Sequence, residues 1–378
     1  MKTDPTLLIL APVPRLRKRT RLAKFARAYK NDTSRISFIG WERLIEEASH
    51  PHDDEVSSTH IVHVGGGYAT DSLGQHYAKW VTKAAVQTVR LNPDTIHALG
   101  LEGALASLPQ KILRPRTVLL YDDADRMTLC HKMPERARRI GQFVERMVTR
   151  ASSAHIIPGE ARYPDGLPNG NTILLKNTPS VETLEQALEL PVEVSDRFDL
   201  LVTGWLGDTR GAAVIDAIAA ELAEDKRFRF VAAGRVTGDA AERFVQRDSV
   251  DYRGEVSNAE ALRLARDSSL VFTLYDPAVI INRYAEPNKW GDCVAVGTPF
   301  IVNREVETAA EYVESGAAVE FGYHNPSEAA ELIRQLAEDG EMYKSLCDRI
   351  SSFPSTSFDS VISESIRPLL SGSAQATR

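Results

Sequence analysis

The chain has 378 residues, 43% hydrophobic and 26% charged, a length and composition that predict two globular domains rather than one core. No run of 18 apolar residues occurs, so a membrane-spanning helix is excluded. Charge is divided: residues 1–175 carry 25 Lys and Arg against 18 Asp and Glu, a net of +7, and residues 176–378 carry 20 against 34, a net of −14. A positive first half predicts an anionic partner there. No helix-turn-helix, zinc-finger or aromatic RNA-platform pattern is present, so no nucleic acid is expected, and a lipid diphosphate or an anionic membrane surface fits better.

In chain order, the apolar run at 7–11 reads as a buried strand and residues 16–29 as a basic amphipathic helix. The run is too short for a signal-peptide core, and its basic residues follow it instead of preceding it, so a cytoplasmic enzyme is expected. Strands follow at 36–39, 61–64, 95–98 and 117–121. His63 and His97 end or border two of them, where a histidine is more often packed than liganding. His50 and His52, in a loop with Asp53 and Asp54, read as solvated, and no metal is expected. A helix over 135–151 places Ile140, Val144, Met147 and Val148 at helical spacing, and strands at 155–157 and 172–175 close the first half. The polar stretch 177–197 reads as a linker with one short helix. Strands at 198–203, 227–233, 250–253, 270–274, 300–302 and 318–321 then alternate with helices at 211–223, 239–246, 258–266, 305–315 and 326–338. This alternation predicts the α/β class, with two doubly wound Rossmann-like domains facing a cleft and ligands at the carboxyl ends of strands. Cys130, Cys293 and Cys347 are too widely spaced for a disulfide framework or a zinc site and suit a reducing compartment.

The stretch Glu286-Pro287-Asn288-Lys289-Trp290-Gly291-Asp292 carries the most chemistry. Pro287 suits a helix start because it has no N–H to leave unsatisfied. Lys289 and Asp292 share a face of the first turn, whose free amides favour an anion. Gly297-Thr298-Pro299 ends the helix, and Phe300-Ile301-Val302 is a compact strand. A cation, a carboxylate and free amides in one small volume suit a nucleoside diphosphate, with Lys on phosphate and the carboxylate on ribose.

This stretch resembles the donor-binding signature of GT-B glycosyltransferases, above all the bacterial enzymes grouped as family 4. Pro287, Lys289, Trp290, Asp292, Ala295, Gly297, Pro299, Phe300 and Ile301 match it, with Asp292 in place of Glu. Thr203-Gly204-Trp205-Leu206 with Arg210-Gly211 resembles the first strand-loop-helix of the donor domain; Arg210 takes the position of its Lys, and Trp205 that of its Arg. Val231 to Arg235, with Gly234, resembles the second strand and its glycine turn, and Tyr252 to Ser257, with Val256, the segment against the nucleobase. The family's Glu-x7-Glu pair falls on Tyr284 and Asp292, with Glu286 nearby. Pro14-Arg15-Leu16-Arg17-Lys18 resembles an Asp-Pro-Arg-Val-x-Lys opening found in a subset of these enzymes. Tyr121-Asp122-Asp123-Ala124-Asp125 resembles a strand-end motif of the acceptor domain, where crowded carboxylates suit a proton acceptor and equally suit helix capping.

The resemblance implies an acceptor-binding domain over 1–175, a linker over 176–197, a donor-binding domain over 198–350, a helix over 351–370 crossing back, and a disordered tail over 371–378. It implies donor contacts from Gly204, Arg210, Gly234, Val256, Glu286, Asn288, Lys289 and Asp292, catalysis by Asp122 or Asp125, and acceptor or membrane contacts from Arg15, Arg17 and Lys18. The implied function is glycosyl transfer from a nucleoside-diphosphate sugar, a co-substrate rather than a cofactor, to a glycan or lipid-diphosphate-linked acceptor in bacterial surface polysaccharide synthesis. The enzyme would be cytoplasmic and peripheral at the inner face of the plasma membrane. Family 4 implies retention at the anomeric carbon; Tyr284 in place of the first Glu leaves inversion open. A nucleotide-sugar epimerase, which would bind the same donor without an acceptor, and a non-catalytic nucleotide-sugar-binding protein, kept open by Tyr284 and Trp205, are the alternatives.

Overall fold

The computed structural model describes residues 5–49, 53–68, 72–130, 133–168 and 170–370. His50, His52 and the tail over 371–378 lie outside them. The chain divides into two compact units, one of Met1–Leu175 with Asp359–Arg378 and one of Lys176–Phe358.

In the first unit, seven strands form one parallel sheet: β1 (Thr6–Leu10), β2 (Arg35–Glu42), β3 (Ser58–Val64), β4 (Thr95–Leu99), β5 (Val118–Asp122), β6 (Ala154–Ile157) and β7 (Thr172–Leu174), in the order β3-β2-β1-β4-β5-β6-β7. β1 is apolar and buried from Leu7 to Leu10, as expected of a central strand of a parallel sheet covered on both faces. Leu8 and Leu10 point with Ile39, Ile96 and Leu119 into a core that includes Trp41 and Trp80. The expected helix over 16–29 is split into a single turn, Leu16–Lys18, and a helix, Thr20–Tyr29. The split follows from Asp53, whose buried carboxylate accepts from the amides of Leu16 (2.7 Å) and Arg17 (3.3 Å). Helices Leu73–Leu91 and Gly100–Leu113 fill stretches to which the sequence pattern assigned no element.

The second unit has six parallel strands: β8 (Phe198–Thr203), β9 (Phe228–Ala233), β10 (Val250–Tyr252), β11 (Leu270–Thr273), β12 (Phe300–Asn303) and β13 (Ala318–Phe321), in the order β10-β9-β8-β11-β12-β13. This is the doubly wound order, with its reversal between β8 and β11, where ligands bind in such sheets. Period-two burial splits the core in two: Leu200 and Val202 pack on one face, and Leu201 with Trp290 and Phe300 on the other.

The stretch over 176–197 is not a free linker. Ser180 caps helix Val181–Glu189, which packs on helix Asn258–Arg266. Arg266 donates to the carbonyls of Ala187 (3.0 Å) and Leu190 (3.2 Å), and Glu193 accepts from Arg253 (2.6 Å) and Arg263 (3.3 Å). Glu193, inside the stretch that reads as a linker, is thus held by two arginines of the second unit. At the other end, helix Gly340–Ser351 belongs to the second unit, and the chain joins the first unit from Asp359. There Arg367 pairs with Asp32 at 2.9 Å.

Candidate functional site

Three glycines mark the carboxyl ends of β8, β9 and β10. Gly204 (φ +90°), Gly234 (φ +127°) and Gly254 (φ +69°) all lie in the region that L side chains avoid. Gly234 donates to the carbonyl of Gly254 (2.7 Å), and Gly204 to that of Ala233 (2.8 Å). A Cβ on Gly234 would fall 1.9 Å from the Gly204 carbonyl oxygen, so only glycine fits. The result is a side-chain-free floor at the sheet reversal.

Over that floor lies Lys289. A Cβ on Gly204 would sit 3.5 Å from Lys289 Cε. Helix Asn288–Val296 supplies it and begins at Pro287 in extended conformation, so its first amides have no helical acceptors. Two contacts fix the helix. Trp290 donates from Nε1 to Thr273 Oγ1 (3.0 Å) and stacks on Phe300, while Gly291 lies where a Cβ would meet the Asn177 carbonyl at 2.5 Å. Asn177 in turn donates to the Glu286 carbonyl at 2.7 Å.

Lys289 is half-buried, and among the described residues its ammonium has no ion pair and no hydrogen bond. Burial first, and the Arg210 cation second, push its pKa down to about 8. Arg210 lines the same pocket, with Thr203, Trp205 and Leu274 among its other walls. Its guanidinium lies 4.7 Å from the centre of the Tyr275 ring and donates to Asn282 Oδ1 at 3.2 Å. Two cations that repel each other in one pocket, with the Asp292 charge only a lesser influence on Lys289, are an arrangement that an anion would relieve. Asp292 lies one turn into the helix and half-buried; Glu286 and Asn288 flank Pro287 and are half-buried. Val256 packs partly on the core just before Ser257, the cap of helix Asn258–Arg266. Tyr284 ends the turn Ile280–Tyr284. Trp205, 47% exposed, donates to Thr237 Oγ1 (2.6 Å) and lies 5.9 Å from the Arg210 guanidinium carbon.

Asn282 escaped the sequence reading. Buried, it donates to the carbonyls of Thr209 (3.1 Å) and Asp276 (3.0 Å) while holding Arg210, and so ties the two loops that flank the sheet reversal. Only its burial identifies it, and no local pattern announces that. Asn303 carried a signal: a polar residue ending the apolar run of β12, it accepts from the Tyr275 amide at 2.9 Å.

At the end of β5 in the first unit the two acid candidates separate. Asp122 is fully buried, and Arg21 Nε donates to both of its oxygens at 3.0 and 2.9 Å. Burial opposes its ionisation, but the Arg21 cation, helped by His97, prevails and holds it at about 2. Such a carboxylate is a poor proton acceptor, so its chemistry speaks for structure. Asp125 is half-exposed and meets Arg19 (3.5 Å) and Arg162 (3.4 Å). Asp123, buried between them, accepts from the Tyr163 hydroxyl, which also bonds His155 Nε2 at 2.9 Å.

The basic cluster also divides. Arg15 is buried and pairs with Glu42 at 3.0 Å; Arg17 pairs with Asp53 at 3.2 Å; Arg21 belongs to Asp122. Lys18 is exposed. The helix that read as a basic surface is mostly neutralised by acids distant in sequence. Among the described residues no cluster of three or more His, Cys, Asp or Glu is placed to hold a metal, and no helix is long and apolar enough to cross a membrane.

No family model and no curated protein matches the chain. Solved structures do. Sucrose-phosphate synthase from Thermosynechococcus elongatus is 14% identical with a TM-score of 0.67 over 98% of this chain and 100% of that one. An α,α-trehalose-phosphate synthase (UDP-forming) from Burkholderia vietnamiensis is 12% identical with a TM-score of 0.66 over 99% and 100%. UDP-GlcNAc 2-epimerase from Neisseria meningitidis, bound to UDP-GlcNAc, is 12% identical with a TM-score of 0.59 over 98% and 99%. These similarities show the fold, which is GT-B.

Proposed function

We propose that the chain transfers a glycosyl group from a nucleoside-diphosphate sugar to a glycan or lipid-diphosphate-linked acceptor, as in bacterial surface polysaccharide synthesis at the inner face of the plasma membrane. One observation carries the reading: Lys289, half-buried, without an ion pair and beside Arg210, lies over a glycine floor at the sheet reversal. The names of the solved structures of like fold, which include UDP-forming and UDP-GlcNAc enzymes, support the choice of donor.

Glycosyl transfer develops negative charge on the leaving diphosphate. Lys289, Arg210 and the first amides of helix Asn288–Val296 are preorganised donors for that charge. Asp292 would hold the ribose and the backbone at Val256 the base, with Asn288 and Glu286 on the sugar side. Asp125 would accept the proton of the acceptor hydroxyl or orient it. No metal enters this scheme, so turnover is expected to survive a chelator.

A second reading is epimerisation of the nucleotide sugar, favoured by the likeness to UDP-GlcNAc 2-epimerase and by Tyr284 where donor-sugar chemistry would use a Glu. Incubation with a panel of nucleotide sugars separates the two. Free nucleoside diphosphate formed with an acceptor supports transfer, a new sugar isomer supports epimerisation, and neither product from any nucleotide sugar contradicts both.

A further inference from the structure

Helix Glu135–Ala151 of the first unit presents two unlike faces. Its inner face is locked. Buried Glu145 accepts from Arg126 Nε (3.1 Å) and from the amide (3.1 Å) and hydroxyl (3.0 Å) of Thr128, and a Cβ on Gly141 would meet Thr128 Cγ2 at 2.8 Å. The outer face is apolar and open: Ile140 is 66% exposed, Phe143 62% and Met147 43%. These three recur at the spacing that puts them on one stripe. Arg136, Arg139, Arg146 and Arg150 are exposed on the same side, and the one exposed acid of the helix, Glu135, is paired with Arg139. Helix Gly100–Leu113 packs beside it and ends in exposed Ile112 and Leu113. Both helices follow neighbouring parallel strands, β4 and β5, so their carboxyl ends point toward the amino ends of the strands.

We propose that this face docks on an anionic lipid surface, with Ile140, Phe143 and Met147 entering the headgroup boundary and the flanking arginines meeting lipid phosphates. An apolar stripe bordered by arginines is the pattern of a helix lying in the plane of a membrane interface. Charge selects the occupant. A second copy of this face would set arginines against arginines, and nucleic acid would leave the apolar stripe uncovered. The assignment stands on the first unit alone and does not rest on the nucleotide-sugar reading. It also moves the membrane contact away from Arg15 and Arg17, which acids already hold.

The test is flotation of the full chain with vesicles of pure phosphatidylglycerol or pure phosphatidylcholine. The protein should bind phosphatidylglycerol at low salt and be released as salt rises, because the attraction is screened. At about 1 kcal/mol for each arginine at an anionic surface, the joint change Arg139→Gln, Arg146→Gln and Arg150→Gln should weaken binding about a hundredfold. The joint change Ile140→Gln, Phe143→Ser and Met147→Gln should weaken it at least about tenfold, with a melting curve like the parent's. Arg17→Gln with Lys18→Gln should bind as the parent does. Absence of phosphatidylglycerol binding at low salt, equal binding by both triple variants and the parent, or a dimer that the apolar triple variant alone dissociates would each overturn the proposal.

Discussion

The carboxyl ends of the two sheets treat charge in opposite ways. At β5 of the first unit the buried charges are paired: Arg21 grips Asp122 with His97 behind it, and Arg126 joins Glu145 (3.1 Å) and Asp165 (2.5 Å). At β8 and β9 of the second unit, Lys289 and Arg210 share a pocket over bare backbone, and among the described residues no carboxylate forms an ion pair with Lys289. A buried charge with a partner is consistent with stability or orientation. A half-buried charge without one raises the free energy of the empty protein and is relieved when an anion binds. The contrast favours a structural role for the buried pairs of the first cluster and supports the proposal of ligand binding at the second, although both read as active-site candidates in sequence.

The largest effect expected is from Arg21→Met. It leaves Asp122 buried and unpaired, which costs about 3–5 kcal/mol of unfolding free energy. Urea denaturation should show that loss while nucleoside-diphosphate affinity stays at the parent value; a parallel loss of affinity would blur the contrast. The same pair predicts an acid limb. The folded pKa of Asp122 is depressed to about 2, so its contribution to stability is complete above the unfolded value of about 4 and disappears as pH falls toward 2. Asp122→Asn should flatten that limb.

Next in size is Asp125→Asn. Asp125, half-exposed at the same strand end, is the acid there that remains open to a substrate. Loss of a general base costs about a hundredfold in transfer rate, with donor affinity unchanged. Full transfer by this variant would place the base elsewhere.

Lys289→Ala should weaken nucleoside-diphosphate binding by about 1.5–3 kcal/mol, the value of a charge-assisted hydrogen bond, and abolish turnover. The comparison becomes sharper in the empty protein. Because Lys289 has no ion pair or hydrogen bond to lose among the described residues, Lys289→Met should leave the melting temperature unchanged or raise it, the reverse of Arg21→Met.

The smallest effect is on pH dependence. Lys289 must be protonated to bind phosphate, and burial has lowered its pKa to about 8. Affinity should therefore be level below pH 8 and fall by up to about tenfold per unit above it, until the pKa of the bound state is reached. Lys289→Arg should keep the affinity level across that range, since guanidinium does not titrate there.

The sequence made the order of elements and the donor-side residues legible for a local reason. Pro287, Lys289, Gly297 and Pro299 lie within one short stretch, and Gly204 and Gly234 follow apolar strands directly, so a local resemblance to the GT-B donor signature picks them out. Partnerships across the chain were not legible. Nothing near residues 15–21 shows that Arg15 belongs to Glu42, Arg17 to Asp53 and Arg21 to Asp122, residues 27, 36 and 101 positions away. That is why a neutralised helix read as a basic surface. The apolar pattern over 135–151 was visible, but not that Ile140 and Met147 are exposed, because periodicity does not say which side of a helix a neighbour covers. Asn282 is unreadable for the same reason: its place in the site comes from burial between two loops.

The central claim, that the second unit's sheet reversal holds a nucleoside diphosphate, is tested most directly by calorimetric titration of UDP, GDP, ADP and TDP into the parent and Lys289→Ala. The account predicts saturable binding of at least one to the parent, weakened about 10- to 150-fold in Lys289→Ala. Binding of none, or equal binding by both proteins, would contradict it.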